Sequence, residues 1–292
     1  MIEETTKVCG LETHLASKVL GQEDAIIKVA RALEGAVLGL NDTGKKPKRT
    51  LLFMGPSGVG KTSTAKAFTE FLFGENLSML FMNEMQSPFD VALFLNTLRA
   101  GIEQHPEGTV FLFDEIEKAS KAIMDVLLSL LDEGEFTIGK DRFSVANCYI
   151  VMTSNIGAER WGWMRKTRYS VMEQFACEQA KLKLRPELFW RINEVIVFRP
   201  LDDQAKADIL IAALDRKLVF LRKQFGIGRM SIDSQAQSHL IRRCFVDGGA
   251  RRLEQQLDKE INLAFIPWAN AGKKPEQHRF TYDARRNQLV LK

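Results

Sequence analysis

The sequence predicts an α/β fold, with a parallel sheet of five strands flanked by helices, followed by a smaller, mainly helical domain. Over the first 200 residues, apolar β-rich runs alternate with segments of helical periodicity, which is typical of a parallel sheet covered on both faces. A glycine-rich loop follows the first apolar run directly. After Pro200 the alternation stops and helical spacing dominates. We therefore expect one domain over residues 1–200 and a second over residues 201–292.

Five β-rich runs account for the predicted sheet. They cover residues 50–54, 77–82, 109–113, 148–153 and 194–198. Helical patterns lie between them, most clearly at 61–73 and 119–131. A short segment at 136–145, with Gly139 at its centre, is expected to form a hairpin before the fourth strand. Strands joined through helices indicate a parallel sheet.

The two ends of the chain are expected to be largely helical. Residues 11–40 have helical spacing that is interrupted at 19–22, and a polar loop at 41–48 leads to the first strand. Helical spacing returns at 202–225, 234–245 and 251–265, and two short β-like runs near 280–282 and 288–291 close the chain. These segments form the predicted second domain.

Composition excludes several classes of protein. Hydrophobic residues make up 45% and charged residues 27% of the chain, as in ordinary globular proteins. No apolar stretch approaches the roughly 18 residues of a membrane span, and no signal peptide is visible at the N-terminus, so we expect a cytoplasmic protein. The 4 cysteines and 4 histidines are scattered, which argues against a disulfide framework or a metal cluster. A net charge of +4 allows contact with nucleic acid but does not indicate it.

The glycine-rich loop has the complete pattern of a phosphate-binding loop in its strand–loop–helix setting. It consists of Gly55, Pro56, Ser57, Gly58, Val59, Gly60, Lys61 and Thr62. The glycines let backbone N–H groups turn inward toward phosphates, and the helix that begins near Lys61 adds its positive N-terminal dipole. Lys61 is expected to reach the β- and γ-phosphates, and the Thr62 hydroxyl to hold Mg²⁺. The loop therefore predicts binding of a nucleoside triphosphate.

Polar residues follow two further strands of the predicted sheet. Asp114 and Glu115 come directly after the apolar run at 110–113, so both carboxylates are expected at the ligand-binding edge. Asp114 would hold the Mg²⁺ shell, and Glu115 would orient and polarise the attacking water. Asn155 follows the strand at 148–153, where a short polar side chain could bind the water or the γ-phosphate. Considered alone, however, a turn is the better explanation, because Ser and Asn commonly start turns.

These motifs, taken in order, resemble AAA+ ATPases, and specifically the second ATPase module of the Clp unfoldase and disaggregase family. The matching stretches are residues 19–22, 55–62, 113–119, 131–134, 152–155, 184–194 and 249–253. They span the chain from about residue 11 to its end.

The resemblance implies further roles. Val19 and Leu20 would line the adenine pocket, which favours ATP, and Asn155 occupies the sensor position near the γ-phosphate. Arg191 matches the arginine finger that enters a neighbouring subunit's site, and Arg251 matches the second-domain arginine that contacts phosphate in cis. Arginine stabilises charge on the transferring phosphoryl group. A finger supplied in trans implies a homo-oligomer, for which the family expectation is a ring of six.

The chain departs from the Clp pattern where that family grips polypeptide. No Gly-aromatic-Val-Gly loop occurs in the interval 83–101, where Ser87 and Asp90 instead form a helix-start signature. For Phe89 we favour a core or staple position over a gripping role. Trp161 and Trp163, among cations in the variable segment 156–183, are expected to pack beneath a local loop rather than contact a partner or single-stranded nucleic acid.

The sequence thus favours an oligomeric, Mg²⁺-dependent ATPase that remodels or assembles a partner protein complex without threading polypeptide. Two alternatives stay open. A Clp-like unfoldase would need a cryptic gripping loop, such as the hairpin at 136–145, and a nucleic-acid-associated loader or regulator would show salt-sensitive DNA binding. A scaffold that binds ATP without hydrolysing it is disfavoured, because every catalytic position is filled.

Overall fold

The computed structural model describes residues 9–40, 44–74, 77–245, 249–270, 277–283 and 288–291, without the side chain of Gln277. Contacts between Cα atoms divide the chain into two compact units, Met1–Pro200 and Leu201–Lys292.

The first unit is built on a five-stranded parallel sheet, as predicted. Its strands, with the hairpin β4–β5, are β1 (Arg49–Met54), β2 (Leu77–Phe81), β3 (Thr109–Asp114), β4 (Glu135–Ile138), β5 (Asp141–Ser144), β6 (Cys148–Ser154) and β7 (Glu194–Val197). The sheet order is β2-β3-β6-β1-β7, and every neighbouring pair is parallel. The carboxyl ends of all five strands therefore lie at one edge, where ligands bind in open α/β sheets.

Helices surround this sheet. They are α1 (Leu11–Lys18), α2 (Glu23–Val37), α3 (Lys61–Phe73), α4 (Val91–Gln104), α5 (Lys121–Glu133), α6 (Ala158–Trp161), α7 (Tyr169–Lys183) and α8 (Pro186–Phe189). Helix α5 begins two residues later than predicted, because residues 116–118 form a separate 3₁₀ turn and Ser120 caps the helix by accepting from Ile123 N at 3.3 Å. It ends at Gly134 (φ 71°), where a Cβ would lie 1.9 Å from the Lys45 carbonyl oxygen.

The core of the first unit lies between the sheet and its helices. Phe94 of α4 contacts Phe113 of β3 with ring centroids 5.5 Å apart, and Trp161 of α6 is completely buried in the same cluster. The predicted hairpin is confirmed, and its Phe136 is buried against this cluster while stacking on Phe143 at 5.4 Å. The hairpin's aromatic rings therefore belong to the core.

Two of the aromatic predictions were wrong. The capping box at Ser87 and Asp90 forms, with Ser87 N donating to Asp90 Oδ2 at 2.8 Å, yet Phe89 is 91% exposed. Phe94 and Leu98 supply the buried face of α4, whereas Phe89 lies in the separate 3₁₀ turn Pro88–Asp90 that precedes the helix. Trp163 is likewise 90% exposed, whereas Trp161 packs inside as expected.

The second unit combines three helices with a small sheet. The elements are α9 (Asp203–Phe225), β8 (Arg229–Ile232), α10 (Ser234–Cys244), α11 (Ala250–Asn270), β9 (Gln277–Asp283) and β10 (Gln288–Leu291). Asp202 and Asp233 cap α9 and α10 by accepting from the backbone N–H three residues on. Strand β8 was not predicted, because its four residues do not alternate clearly; it is held by parallel pairing with β9.

No described helix has the length and apolar character needed to cross a membrane.

Candidate nucleotide site

The phosphate loop connects β1 to α3 in a conformation that only glycine supports at two positions. Gly55 has φ 151°, and a Cβ there would lie 2.4 Å from the Phe198 carbonyl oxygen. Gly60 has φ 112°, and its Cβ would lie 2.8 Å from Val19 Cγ1. Substitution at either glycine would push the loop away from its neighbours.

The ammonium of Lys61 lies inside this loop. Lys61 is 7% exposed, and its Nζ donates to the carbonyl oxygens of Gly55 at 2.6 Å and Pro56 at 2.7 Å and to Asn155 Oδ1 at 2.8 Å. Burial lowers the pKa of Lys61 to about 8, although nearby carboxylates, Asp114 foremost, oppose this shift. A buried cation held among backbone groups fits a phosphate anion, which would stabilise its charged form.

Asp114 and Thr62 meet beside the loop. Asp114 Oδ1 accepts from Thr62 Oγ1 at 3.3 Å and from Thr153 Oγ1 at 2.6 Å, so the ends of β3 and β6 and the start of α3 converge on one carboxylate. A carboxylate and a hydroxyl beside a phosphate cradle are oxygen ligands of the kind Mg²⁺ takes in such sites. The two residues predicted to hold Mg²⁺ are therefore together.

Glu115 has the only positive φ among the described non-glycine residues, at 57°. Its backbone N–H donates to Thr153 Oγ1 at 3.1 Å, which holds the turn, and its Oε1 accepts from Asn155 Nδ2 at 2.9 Å. A left-handed non-glycine residue costs about 1–3 kcal/mol and persists only where its surroundings impose it. In this conformation the Glu115 carboxylate lies against the Asn155 amide.

Asn155 joins the loop to the acidic turn. Besides its contacts with Lys61 and Glu115, its backbone N–H donates to Glu117 Oε1 at 3.0 Å. The other oxygen of that carboxylate, Oε2, is buried without a hydrogen-bond partner among the described residues. These bonds place the Asn155 amide between the cation and the carboxylate to which catalytic roles were assigned.

Two residues of this network, Thr153 and Glu117, were not predicted as site residues, although each lies two residues from one that was. Gln22, outside this network, was not predicted either. Gln22 is buried and exchanges two bonds with the Arg199 backbone, donating to its carbonyl at 2.9 Å and accepting from its N–H at 2.8 Å. It thereby anchors the segment that carries Val19 and Leu20 beside the end of β7.

The remaining predicted residues vary in position. Val19 is buried against Gly60, Leu20 is half-buried, and in the loop Val59 is buried while Ser57 is exposed. Arg251 is exposed at the start of α11 in the second unit. The loop, the acidic pair and Asn155 therefore form the assembled part of the site.

Arg191 follows α8 and is held by α5. Its Nε donates to Asp132 Oδ1 at 2.7 Å, Nη2 donates to Asp132 Oδ2, and Nη1 donates to the Glu187 carbonyl. Asp132 in turn holds the pKa of Arg191 above its usual value, and Arg191 lowers the pKa of Asp132. A bidentate arginine–carboxylate pair fixes the direction of the side chain.

Comparison with known proteins identifies relatives over nearly the whole chain. The family model for the AAA domain (Cdc48 subfamily) matches residues 46–195. The chaperone protein ClpB of Aquifex aeolicus is 33% identical over 89% of this chain and 28% of its own length. The mitochondrial chaperone protein ClpB3 of Oryza sativa subsp. japonica is 36% identical over 90% of this chain and 29% of its own. A ClpA homolog, an ATP-binding subunit of a Clp protease from Cyanidium caldarium, is 30% identical over 98% of this chain and 36% of its own. The chain thus spans about a third of the length of these relatives.

Proposed function

The chain belongs to the AAA family of ATP-hydrolysing domains, which use ATP with Mg²⁺, and from that premise we propose that it remodels or assembles a partner protein complex as an oligomeric ATPase. In this proposal, identical subunits form a ring, of six by analogy with the family. The ring moves as ATP is bound and hydrolysed, and these movements act on the partner. The work is done without threading a polypeptide.

One observation carries the catalytic half of the proposal, namely the hydrogen-bonded chain Lys61–Asn155–Glu115. The Asn155 amide accepts from the ammonium at 2.8 Å and donates to the carboxylate at 2.9 Å. A change in the charge beside the Lys61 ammonium would therefore act, through the Asn155 amide, on the Glu115 carboxylate, which would accept a proton from the attacking water. Such coupling is what a cycle of binding and hydrolysis requires.

Each residue of the site has its own role in the proposed cycle. Lys61 and the loop N–H groups bind and orient the β- and γ-phosphates, and Thr62 and Asp114 would hold Mg²⁺, which when bound supplies charge neutralisation on the phosphate oxygens. Glu115 accepts a proton from the water that attacks the γ-phosphorus. Val19 and Leu20 contact the adenine, and the position of Val19 beside Gly60 supports this role.

Arg191 and Arg251 complete the site in the proposal. Arg191 acts in trans on a neighbouring subunit's γ-phosphate, and Asp132 supports this role by holding its guanidinium in one direction. Arg251 contacts phosphate in cis. Because the first site would lie between subunits, a dissociated monomer should hydrolyse ATP poorly.

The Glu115→Gln variant tests the catalytic assignment. Loss of a general base costs about 10²–10⁴-fold in turnover, while ATP affinity and oligomer size should persist. Steady-state ATPase rates, nucleotide binding and sedimentation measure these three quantities. Glu12→Gln, an exposed substitution on α1, serves as the control and should keep the normal rate. Normal hydrolysis by Glu115→Gln would remove Glu115 from the mechanism.

The same variant, Glu115→Gln, also tests which kind of partner the ATPase acts on. Bound to ATP, it should retain a folded partner complex in affinity capture. Capture of unfolded polypeptides or protease subunits alone would contradict remodelling without threading.

The exposure of Phe89 favours a second candidate function, a Clp-like unfoldase. Phe89, in the 3₁₀ turn before α4, and Leu93, in the first turn of α4, are both exposed. They lie in the same interval between β2 and β3 where Clp proteins carry their gripping loop. The rings of the hairpin β4–β5, by contrast, are packed against the core and do not support a gripping role. ATP-dependent unfolding of a tagged substrate by the purified protein, lost in Phe89→Ala, would establish this candidate and displace the first.

A further inference from the structure

The net positive charge of this chain comes from the second unit. Residues 201–292 contain 17 Lys and Arg against 11 Asp and Glu, whereas residues 1–200 contain 24 against 26. The second unit therefore has six net positive charges and the first has two net negative charges. A separation of this size within one chain favours an anionic partner for the second unit.

Part of this charge lines a cavity of about 800 Å³ in the second unit. One face of α10 forms most of its wall, with Tyr282 of β9 completing it. The side chains that the argument uses are Ser238, His239, Arg242, Arg243 and Tyr282. No acidic side chain lines the cavity in the part of the chain that is described. Its volume is in the range of ligand cavities, about 300–1,000 Å³.

Arg242 is the cation best placed to bind a ligand. Its Nε donates to the Ser238 carbonyl at 3.3 Å, which fixes the stem of the side chain. Within the described residues its two terminal nitrogens have no hydrogen-bond or ion-pair partner. Arg243 is held differently, by an ion pair of its Nε with Glu260 Oε2 at 3.2 Å. Arg242 thus presents a fork of donors to the cavity, and Arg243 adds a charge that Glu260 partly balances.

An aromatic wall lies beside these cations. The rings of His239 and Tyr282 have centroids 4.2 Å apart and an interplanar angle of 30°. His239 Nε2 is buried with no hydrogen-bond partner among the described residues. Burial lowers the pKa of His239, and the charges of Arg243 and Arg242 lower it further while that of Glu260 opposes them.

We propose that this cavity binds single-stranded nucleic acid, with a backbone phosphate on Arg242 and an unpaired base against the Tyr282–His239 wall. A guanidinium beside an aromatic ring is the combination that single-strand binders use, because every base has a face that stacks and every nucleotide carries a phosphate. An acidic peptide would satisfy the cations but leave the ring wall unused. A duplex would satisfy the phosphate contact but keep its bases stacked on one another. This site is distinct from the proposed ATPase cycle and does not depend on it.

Fluorescence anisotropy with a labelled single-stranded oligothymidylate of about 12 nucleotides tests the proposal on the full chain. Affinity should fall as salt rises, and Arg242→Ala should reduce the slope of log K against log salt by about 0.7, the value for one lost phosphate contact. Tyr282→Leu should weaken binding about tenfold at an unchanged slope, because it removes stacking and no charge. Tyr282→Phe keeps the ring and should bind normally.

Controls separate a specific site from general charge. Arg229→Ala removes an exposed arginine of the same unit outside the cavity and should leave both affinity and slope unchanged. The pKa of His239, followed by NMR, should rise when the oligonucleotide binds, because a phosphate stabilises the imidazolium. ATPase rates without nucleic acid should be the same in all four variants. Absence of binding, equal losses in Arg242→Ala and Arg229→Ala, equal affinity for a duplex of the same length, or equal competition by polyglutamate would each overturn the proposal.

Discussion

The nucleotide edge of the sheet and the surface at the start of α4 are built in opposite ways. At the nucleotide edge, Lys61, Asp114 and Asn155 are each held by two or more hydrogen bonds from different elements. At the start of α4, Phe89 and Leu93 face solvent. A hydrogen-bonded network needs each of its members, whereas an exposed apolar side chain contributes little to the fold. Substitutions at the first region should therefore alter the ATP cycle, and those at the second should alter only what the cycle acts upon.

Among the following variants the largest effect is expected at Arg191, which in the proposal acts on a neighbouring subunit's nucleotide site. Arg191→Ala should lower kcat of the assembled protein about 10³-fold, since arginine fingers stabilise charge in the transition state, with ATP affinity nearly unchanged. Arg185→Ala is the matched control, because Arg185 forms the other ion pair of this segment with α5, to Asp125. Equal losses in the two variants would mean that Arg191 is a structural tie to Asp132.

Lys61→Ala should weaken ATP binding by at least about a hundredfold, because it removes charge-assisted bonds to phosphate and leaves three carboxylates without the cation that faces them. Calorimetric titration of ATP measures the loss. Lys66→Ala, an exposed position of α3, should bind ATP normally. If the two variants bound ATP equally, the loop would not be the phosphate cradle.

Asn155→Ala should separate binding from turnover. We expect kcat to fall about a hundredfold, because Glu115 loses the amide that orients it, while the affinity for ATP changes by less than about threefold. Steady-state kinetics together with nucleotide titration distinguish the two effects. A loss confined to affinity would show that Asn155 serves only the Lys61 ammonium.

Glu117→Gln should have a smaller effect within the same network. The substitution weakens the bond from the Asn155 N–H to a carboxylate and should lower kcat about tenfold. Glu133→Gln, at the exposed end of α5, provides a neutral comparison. An unchanged rate in Glu117→Gln would mean that its charge plays no part in orienting Asn155.

Phe89→Ala should have the smallest effect on hydrolysis, with a rate within about twofold of normal and an unchanged unfolding temperature, because exposed side chains rarely alter stability by more than about 0.5 kcal/mol. Trp163→Ala, at another highly exposed aromatic residue of the first unit, is the comparison. A strong loss of ATPase activity in Phe89→Ala would show that this exposed surface also takes part in the ATP cycle.

Patterns among residues close together in the sequence were sufficient to predict most elements of the first unit. Strand–helix alternation predicted the five parallel strands, and the spacing of Lys61 and Thr62 within their motif placed the loop at the start of α3, because both depend on periodicity and on neighbours along the chain. Strand β8 was not predicted, because its four residues are defined by pairing with β9, about 50 residues away. The position predicted for Phe89 was wrong, because apolar character does not say which face of a turn a side chain occupies.

Short sequence motifs were thus sufficient to predict the phosphate loop, the acidic end of β3 and the polar residue after β6, because such motifs carry these groups in fixed backbone settings. The contacts between these groups come from the tertiary structure. It brought Asn155 between Lys61 and Glu115, paired Arg191 with Asp132, and gathered Arg242, His239 and Tyr282 around one cavity. Each of these contacts joins residues that no local rule relates, since the distance between two side chains on different elements depends on how those elements pack.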